Sequence, residues 1–126
     1  MFYRELNQLR RANPDEDGAI TRLDRYLSSL PPGAARNITA TTVSAAIGAP
    51  RSKTVGLLMA ATALGLLKLK FRVVCPEGKH GIRDYENLDD IPSEIYCDAC
   101  EETYGVTPDD VEYFFELTER AASVRA

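Results

Sequence analysis

The sequence has no tryptophan, one histidine and only three cysteines. An odd cysteine count argues against a disulfide framework, which uses cysteines in pairs. A single imidazole limits acid–base chemistry, and no separate nucleophile-and-base pair is visible, so no enzyme is expected. Long apolar runs are missing as well. The least polar stretch, Thr54 to Leu67, is too short to span a bilayer and reads as a buried helix. Met1-Phe2-Tyr3-Arg4-Glu5-Leu6 lacks the apolar centre of a secretory signal. Such a chain is expected in a reducing cytoplasm, with no membrane partner, where clustered thiols more often hold metal than form disulfides.

What is present is 126 residues, 44% of them apolar, enough for one domain or two very small ones. The net charge of −4 conceals a division. Residues 1–74 carry 11 Lys/Arg against 5 Asp/Glu, a balance of +6; residues 75–126 carry 4 against 14, a balance of −10. Such asymmetry suggests two modules, 1–74 and 75–126, with different partners or with each other as partners.

Helical spacing begins early. Phe2, Leu6 and Leu9 share a face up to Ala12, and Asn13-Pro14 ends that helix. Asp15-Glu16-Asp17 opens a second helix with the acids the helix dipole favours. Its stripe is Ile20, Leu23, Tyr26, Leu27 and Leu30, and Pro31-Pro32-Gly33 stops it. Thr39 or Thr41 is a candidate cap for a short helix through Ile47. Gly48-Ala49-Pro50 is a turn, and Arg51 or Ser52 opens a third main helix ending near Leu64-Gly65-Leu66-Leu67. Lys68 to Val74 then alternates basic and apolar residues, as a half-exposed strand does.

This order over residues 37–74 resembles the winged helix-turn-helix superfamily. The resemblance implies that Ile38 and Val43 pack under the turn. It also implies that Leu57, Leu58, Ala61 and Leu64 face inward from the recognition-type helix, and that the basic strand starts the wing. A plain helical bundle is the alternative.

After Val74 the texture changes to turns and short strands. Strands are expected near Ile82–Tyr85, Glu94–Tyr96, Thr103–Val106 and Val111–Leu117, with an acidic loop from Asn87 to Ser93. Thr118 to Ala126 reads as a polar, small-residue tail. Cys97-x-x-Cys100 is a ligand pair at the usual spacing for structural zinc, and Cys75-x4-His80 is a slightly wider second pair. Together they hold every cysteine and the only histidine of the chain. One structural Zn2+ bound by Cys75, His80, Cys97 and Cys100 is therefore expected. The competing reading is three core thiols that coincide by chance.

The region 72–117 resembles a zinc ribbon with one departure. A ribbon usually repeats cysteine three residues after the first, and here that position is Gly78. His80 would substitute, with Asp84 or a water as the fallback. Cys75-Pro76-Glu77 with Cys97-x-x-Cys100 also has a superficial likeness to a nucleobase deaminase. No helix is expected around Cys75, no proline precedes Cys97, and too little chain remains for a deaminase fold.

The expected fold class is thus α+β: N-terminal helices and a winged helix-turn-helix, then a small β-rich zinc ribbon. The layout resembles that of general transcription factor E alpha subunits. The winged-helix resemblance implies duplex DNA as a partner, with Arg36, Arg51, Ser52, Lys53, Lys68, Lys70 and Arg72 as candidate contacts. Against it, Thr54 to Leu67 contains no charge, Asn or Gln, and a helix apolar on both sides is usually covered by protein. Two expectations follow: a nucleic-acid-binding regulator, slightly favoured, with a homodimer through the N-terminal helices; or an adaptor that uses both modules for protein contacts.

Overall fold

The computed structural model describes residues 3–118. The expected contribution of Phe2 to the first helix, and the expected tail from 119 onward, lie outside the described residues. Five α-helices and five strands follow in order: α1 (Arg4–Ala12), α2 (Asp17–Ser28), α3 (Pro32–Ala35), α4 (Ala40–Ile47), α5 (Arg51–Ala63), β1 (Leu67–Val74), β2 (Gly81–Tyr85), β3 (Glu94–Cys97), β4 (Glu102–Gly105) and β5 (Val111–Leu117). The class is α+β. No helix among the described residues is long and apolar enough to cross a membrane.

The chain forms two compact units. One runs up to Leu69 and resumes at Phe115; the other is Lys70–Phe114. The boundary read from the charge and texture change, at 74/75, instead gives all of β5 to the second module. The reason for the difference is non-local: Ile38 and Phe115 exchange both backbone hydrogen bonds, at 2.8 and 2.7 Å. That pairing is invisible to any local pattern.

In the first unit, apolar residues at helical spacing bury one stripe per helix. Leu6 and Leu9 of α1 join Ile20, Leu23 and Leu27 of α2, Val43 and Ile47 of α4, Leu57, Leu58 and Ala61 of α5, and Phe115 and Leu117 in one cluster. Leu64, expected inside, only packs partly against it. Tyr3, just before α1, is buried, and its backbone N–H donates to the buried carboxylate of Asp24 at 2.9 Å. Pro31-Pro32-Gly33 does end α2, but Pro32 then opens the one-turn α3, because proline at a first helical position forfeits no hydrogen bond.

The turn between α4 and α5 is built by short-range chemistry. The Thr39 hydroxyl caps α4 by accepting from the Thr42 N–H. Gly48 closes α4 at φ +66°, a left-handed conformation that favours glycine. Ser44 Oγ donates to the Ala49 carbonyl at 2.6 Å, and Arg22 Nε donates to the Ile47 carbonyl at 2.7 Å. The Arg22 bond occupies a carbonyl that the end of α4 would otherwise leave open, and the Ser44 bond ties the turn that follows.

In Lys70–Phe114, the end of β1 pairs antiparallel with β2, placing Arg72 opposite Asp84. β3 and β4 form a second antiparallel hairpin, from Glu94 opposite Gly105 to Cys97 opposite Glu102. The sheet containing β1 has the order β2-β1-β5. Buried apolar residues here are few: Val73, Val74, Ile95 and Phe114, besides Cys75 and Cys97.

Candidate metal centre

Each pair of candidate ligands sits where one strand turns into its antiparallel neighbour. Cys75 directly follows β1 and His80 directly precedes β2; Cys97 ends β3 and Cys100 lies in the turn before β4. The first turn is tied by three bonds: Cys75 N–H to the His80 carbonyl and Lys79 N–H to the Cys75 carbonyl, both at 2.8 Å, and Gly78 N–H to Cys75 Sγ at 3.5 Å.

The two turns share a plan. Lys79 lies four residues after Cys75, and Glu101 four after Cys97; they are the non-glycine residues at positive φ among those described, 56° and 55°. Gly78 in the first turn therefore corresponds to Cys100 in the second. With no sulfur at that position, the ligand comes from His80, two residues further on. A Cβ on Gly78 would lie 2.5 Å from His80 Nδ1, so the bare glycine gives the imidazole its room.

The four ligand atoms all lie within 4.8 Å of one another. Cys75 Sγ is 3.4 Å from Cys100 Sγ, and His80 Nε2 is 3.1 Å from Cys97 Sγ. A tetrahedral zinc with ordinary Zn–S and Zn–N bonds sets S···S at about 3.8 Å and N···S at about 3.6 Å. These two separations are about 0.4–0.5 Å shorter than that and every pair lies within 4.8 Å, so a small opening of the cluster would fit the four donors to one metal ion. Cys75 and Cys97 are buried, while His80 and Cys100 are partly so. All four expected ligands are brought together.

Comparison with protein-family models, curated proteins and solved structures finds no match to this chain.

Hydrogen bonding from the Gly78 backbone, opposed by burial, lowers the Cys75 thiol pKa. Its neighbour Cys100 is pushed up to about 11, first by its hydrogen bond to Cys75. The two thiols lie 3.4 Å apart, within hydrogen-bond reach of each other. A divalent cation between them would bind both as thiolates and release their protons. Burial, with Glu102 and Cys100 adjacent, raises the Tyr104 phenol above its usual range. Tyr104 was not among the sequence candidates. Its signal would have been an aromatic four residues after Cys100, within the strand that leaves the metal turn.

Asp84, the fallback ligand, is outside the cluster: its carboxylate accepts from Arg72 Nε at 2.8 Å and Nη2 at 3.3 Å. That contact and the opposing register explain why Arg72 is held on the protein. Its guanidinium also lies 4.4 Å from the centre of the Phe114 ring. Of the other candidate nucleic-acid contacts, Arg36 follows α3 and is exposed, as are Arg51 and Ser52 in the first turn of α5. Lys53 pairs with Glu16 at 3.1 Å. Lys68 is exposed on β1, and Lys70 is half-buried there.

Proposed function

We propose that this chain is a zinc-stapled, winged-helix adaptor, a non-enzymatic protein that docks to other proteins. Zinc is the metal that three thiolates and one imidazole favour in a closed tetrahedral site. The winged-helix reading draws support from the order of elements. Helix α2, the single bridging residue Ile38, the α4-turn-α5 pair, β1 and a returning β5 follow the winged-helix sequence of parts. In that reading the metal module is inserted between the two wing strands.

The observation that carries the adaptor reading is the exposed surface of α5. Beyond its first turn, that surface presents Gly56, Met59 and Ala63, with Met59 43% exposed. A groove-reading helix would offer Arg, Lys, Asn or Gln there. Small and apolar residues instead allow close approach of another protein surface.

The test is purification of the tagged full-length chain from its native cells, with partners quantified by mass spectrometry. A partner present in fixed ratio, lost on Met59→Arg while zinc content is kept, supports docking through α5. No stoichiometric partner sinks it. A second reading, binding of duplex DNA, is favoured by exposed Arg51, Ser52 and Lys68. It requires binding at low salt that weakens steeply as salt rises, and a flatter slope after Arg51→Ala and Lys68→Ala.

A further inference from the structure

Four large apolar side chains are exposed among the described residues: Met59, Leu88, Tyr96 and Tyr113. Two of them, Leu88 (59% exposed) and Tyr113 (38%), line the same open groove of about 620 Å³ within Lys70–Phe114. Half-buried Phe71, Ile91, Val106 and Val111 line it with them. No charged side chain lines the groove.

Several of its polar groups are already engaged. The Ser93 carbonyl accepts the Val106 N–H at 2.8 Å, and the Thr107 hydroxyl donates to Asp110 at 2.9 Å. Pro92 and Pro108 supply no N–H. An added strand would find few backbone donors here, so side chains must do the recognising. The groove is also too open to enclose a small molecule, since ligand pockets cover most of their ligand.

Carboxylates outnumber cations around this lining; the cations next to it, Lys70 and Arg72, flank Phe71, and Arg72 is already paired with Asp84. Exposed Asp89 and Asp90 fall between Leu88 and Ile91, Glu94 follows Ser93, and Asp109 follows Pro108. Lys70–Phe114 carries 4 Lys/Arg and 12 Asp/Glu, a balance of −8. An apolar lining in a unit with a large excess of carboxylates complements a ligand with apolar anchors and flanking cations.

The groove is tied to the metal turn by one hairpin. Ser93 and Val106 join its open end, next to the Glu94–Gly105 pair, and Cys97 and Cys100 sit at the turn end. Pinning the turn with metal therefore sets the register of one groove wall.

From these features we infer that this groove docks an extended peptide segment of a partner protein, with apolar anchor side chains flanked by Lys or Arg. The inference rests on the adaptor reading and names the chemistry of one partner. Binding requires the loaded metal centre, because chelation releases the hairpin that carries Ser93 and Val106.

The experiment selects from a phage-displayed library of random twelve-residue peptides on the zinc-loaded full-length chain, then measures the best synthetic peptide by fluorescence anisotropy. The expected selection is peptides with two or more large apolar residues and adjacent Lys or Arg. Leu88→Asp should weaken the peptide at least about tenfold, and Tyr96→Ser, outside the groove, should leave it within about twofold. Asp89→Lys with Asp109→Lys should abolish the preference for basic residues. Leu88 is largely exposed, so folding of its variant is checked directly by zinc content and circular dichroism.

Selection of no peptide, selection of acidic peptides, or a best peptide indifferent to Leu88→Asp overturns the proposal. Self-association of the chain that Leu88→Asp abolishes overturns it too, by giving the groove to a second copy. Zinc is assayed on the same samples. A chain that holds zinc but selects no peptide loses the groove and keeps the metal centre; a partner still lost on Met59→Arg keeps the α5 reading as well.

Discussion

The two units reach a stable fold by different means. The helical unit joins apolar residues of α1, α2, α4 and α5 with Phe115 and Leu117 in one continuous cluster. The apolar residues that Lys70–Phe114 buries are Val73, Val74, Ile95 and Phe114, besides the candidate metal ligands Cys75 and Cys97, and it carries most of the acidic excess. Small units with so little apolar burial rarely offset chain entropy unaided. A metal ion held by Cys75, His80, Cys97 and Cys100 would supply the missing term. Core packing and metal binding are therefore expected to fail separately.

The largest effect should come from the metal. Chelation, or Cys97→Ser, is expected to unfold Lys70–Phe114, since structural zinc contributes about 10–16 kcal/mol of apparent binding energy in small finger peptides. Hydrogen exchange would show fast exchange in β2, β3 and β4 with protection kept in α2, α4 and α5. Simultaneous loss of helix protection would break the comparison. The converse change is Leu58→Ala in the helical core, where Leu58 is fully buried. A loss of about 3–4 kcal/mol in urea titration is expected, with zinc stoichiometry unchanged.

The comparison sharpens at the fourth ligand. His80→Ala should weaken zinc at least about a hundredfold, roughly 2.7 kcal/mol, measured by competition with a chromogenic chelator. Because Gly78 occupies the place that Cys100 takes in the other turn, Gly78→Cys in the His80→Ala background is expected to restore tight binding. Cobalt substitution would report the change of donor through a stronger sulfur charge-transfer band. Failure of that rescue would mean that the two turns do not share a plan.

The parts that were legible in sequence are those fixed by neighbours along the chain. The Thr39 cap, the Gly48 turn, the stripes of α2 and α5 and the Cys97-x-x-Cys100 pair each depend on residues a few positions apart. What could not be read depends on distant pairing. Phe115 belongs to the helical core only because β5 returns to Ile38. Arg72, read as a phosphate contact, also meets Asp84, because the β1–β2 register sets them opposite. Tyr3 is fixed by Asp24, which is remote in sequence. The apolar groove draws on separate segments from Phe71 to Tyr113, and no periodicity joins them.

The smallest expected effect tests how each unit tolerates left-handed backbone. The helical unit uses glycine there: Gly48 has φ +66° and open space around its Cα. Gly48→Ala meets no side chain, so its cost is backbone strain of about 1–2 kcal/mol, partly offset by the lower entropy of the unfolded alanine chain. A net loss of about 1 kcal/mol is expected by thermal or urea unfolding. The metal unit places Lys79 and Glu101 in the same conformation, at φ 56° and 55°. Strained backbone persists where its surroundings over-determine it, and two ligand turns closed on one ion would do that. Lys79→Gly should then change zinc-loaded stability by less than about 0.5 kcal/mol, because relieved strain and added unfolded-state entropy oppose each other. A substantial gain from Lys79→Gly would show that the turn is strained without being held, and would weaken the case for metal as the element that shapes this unit.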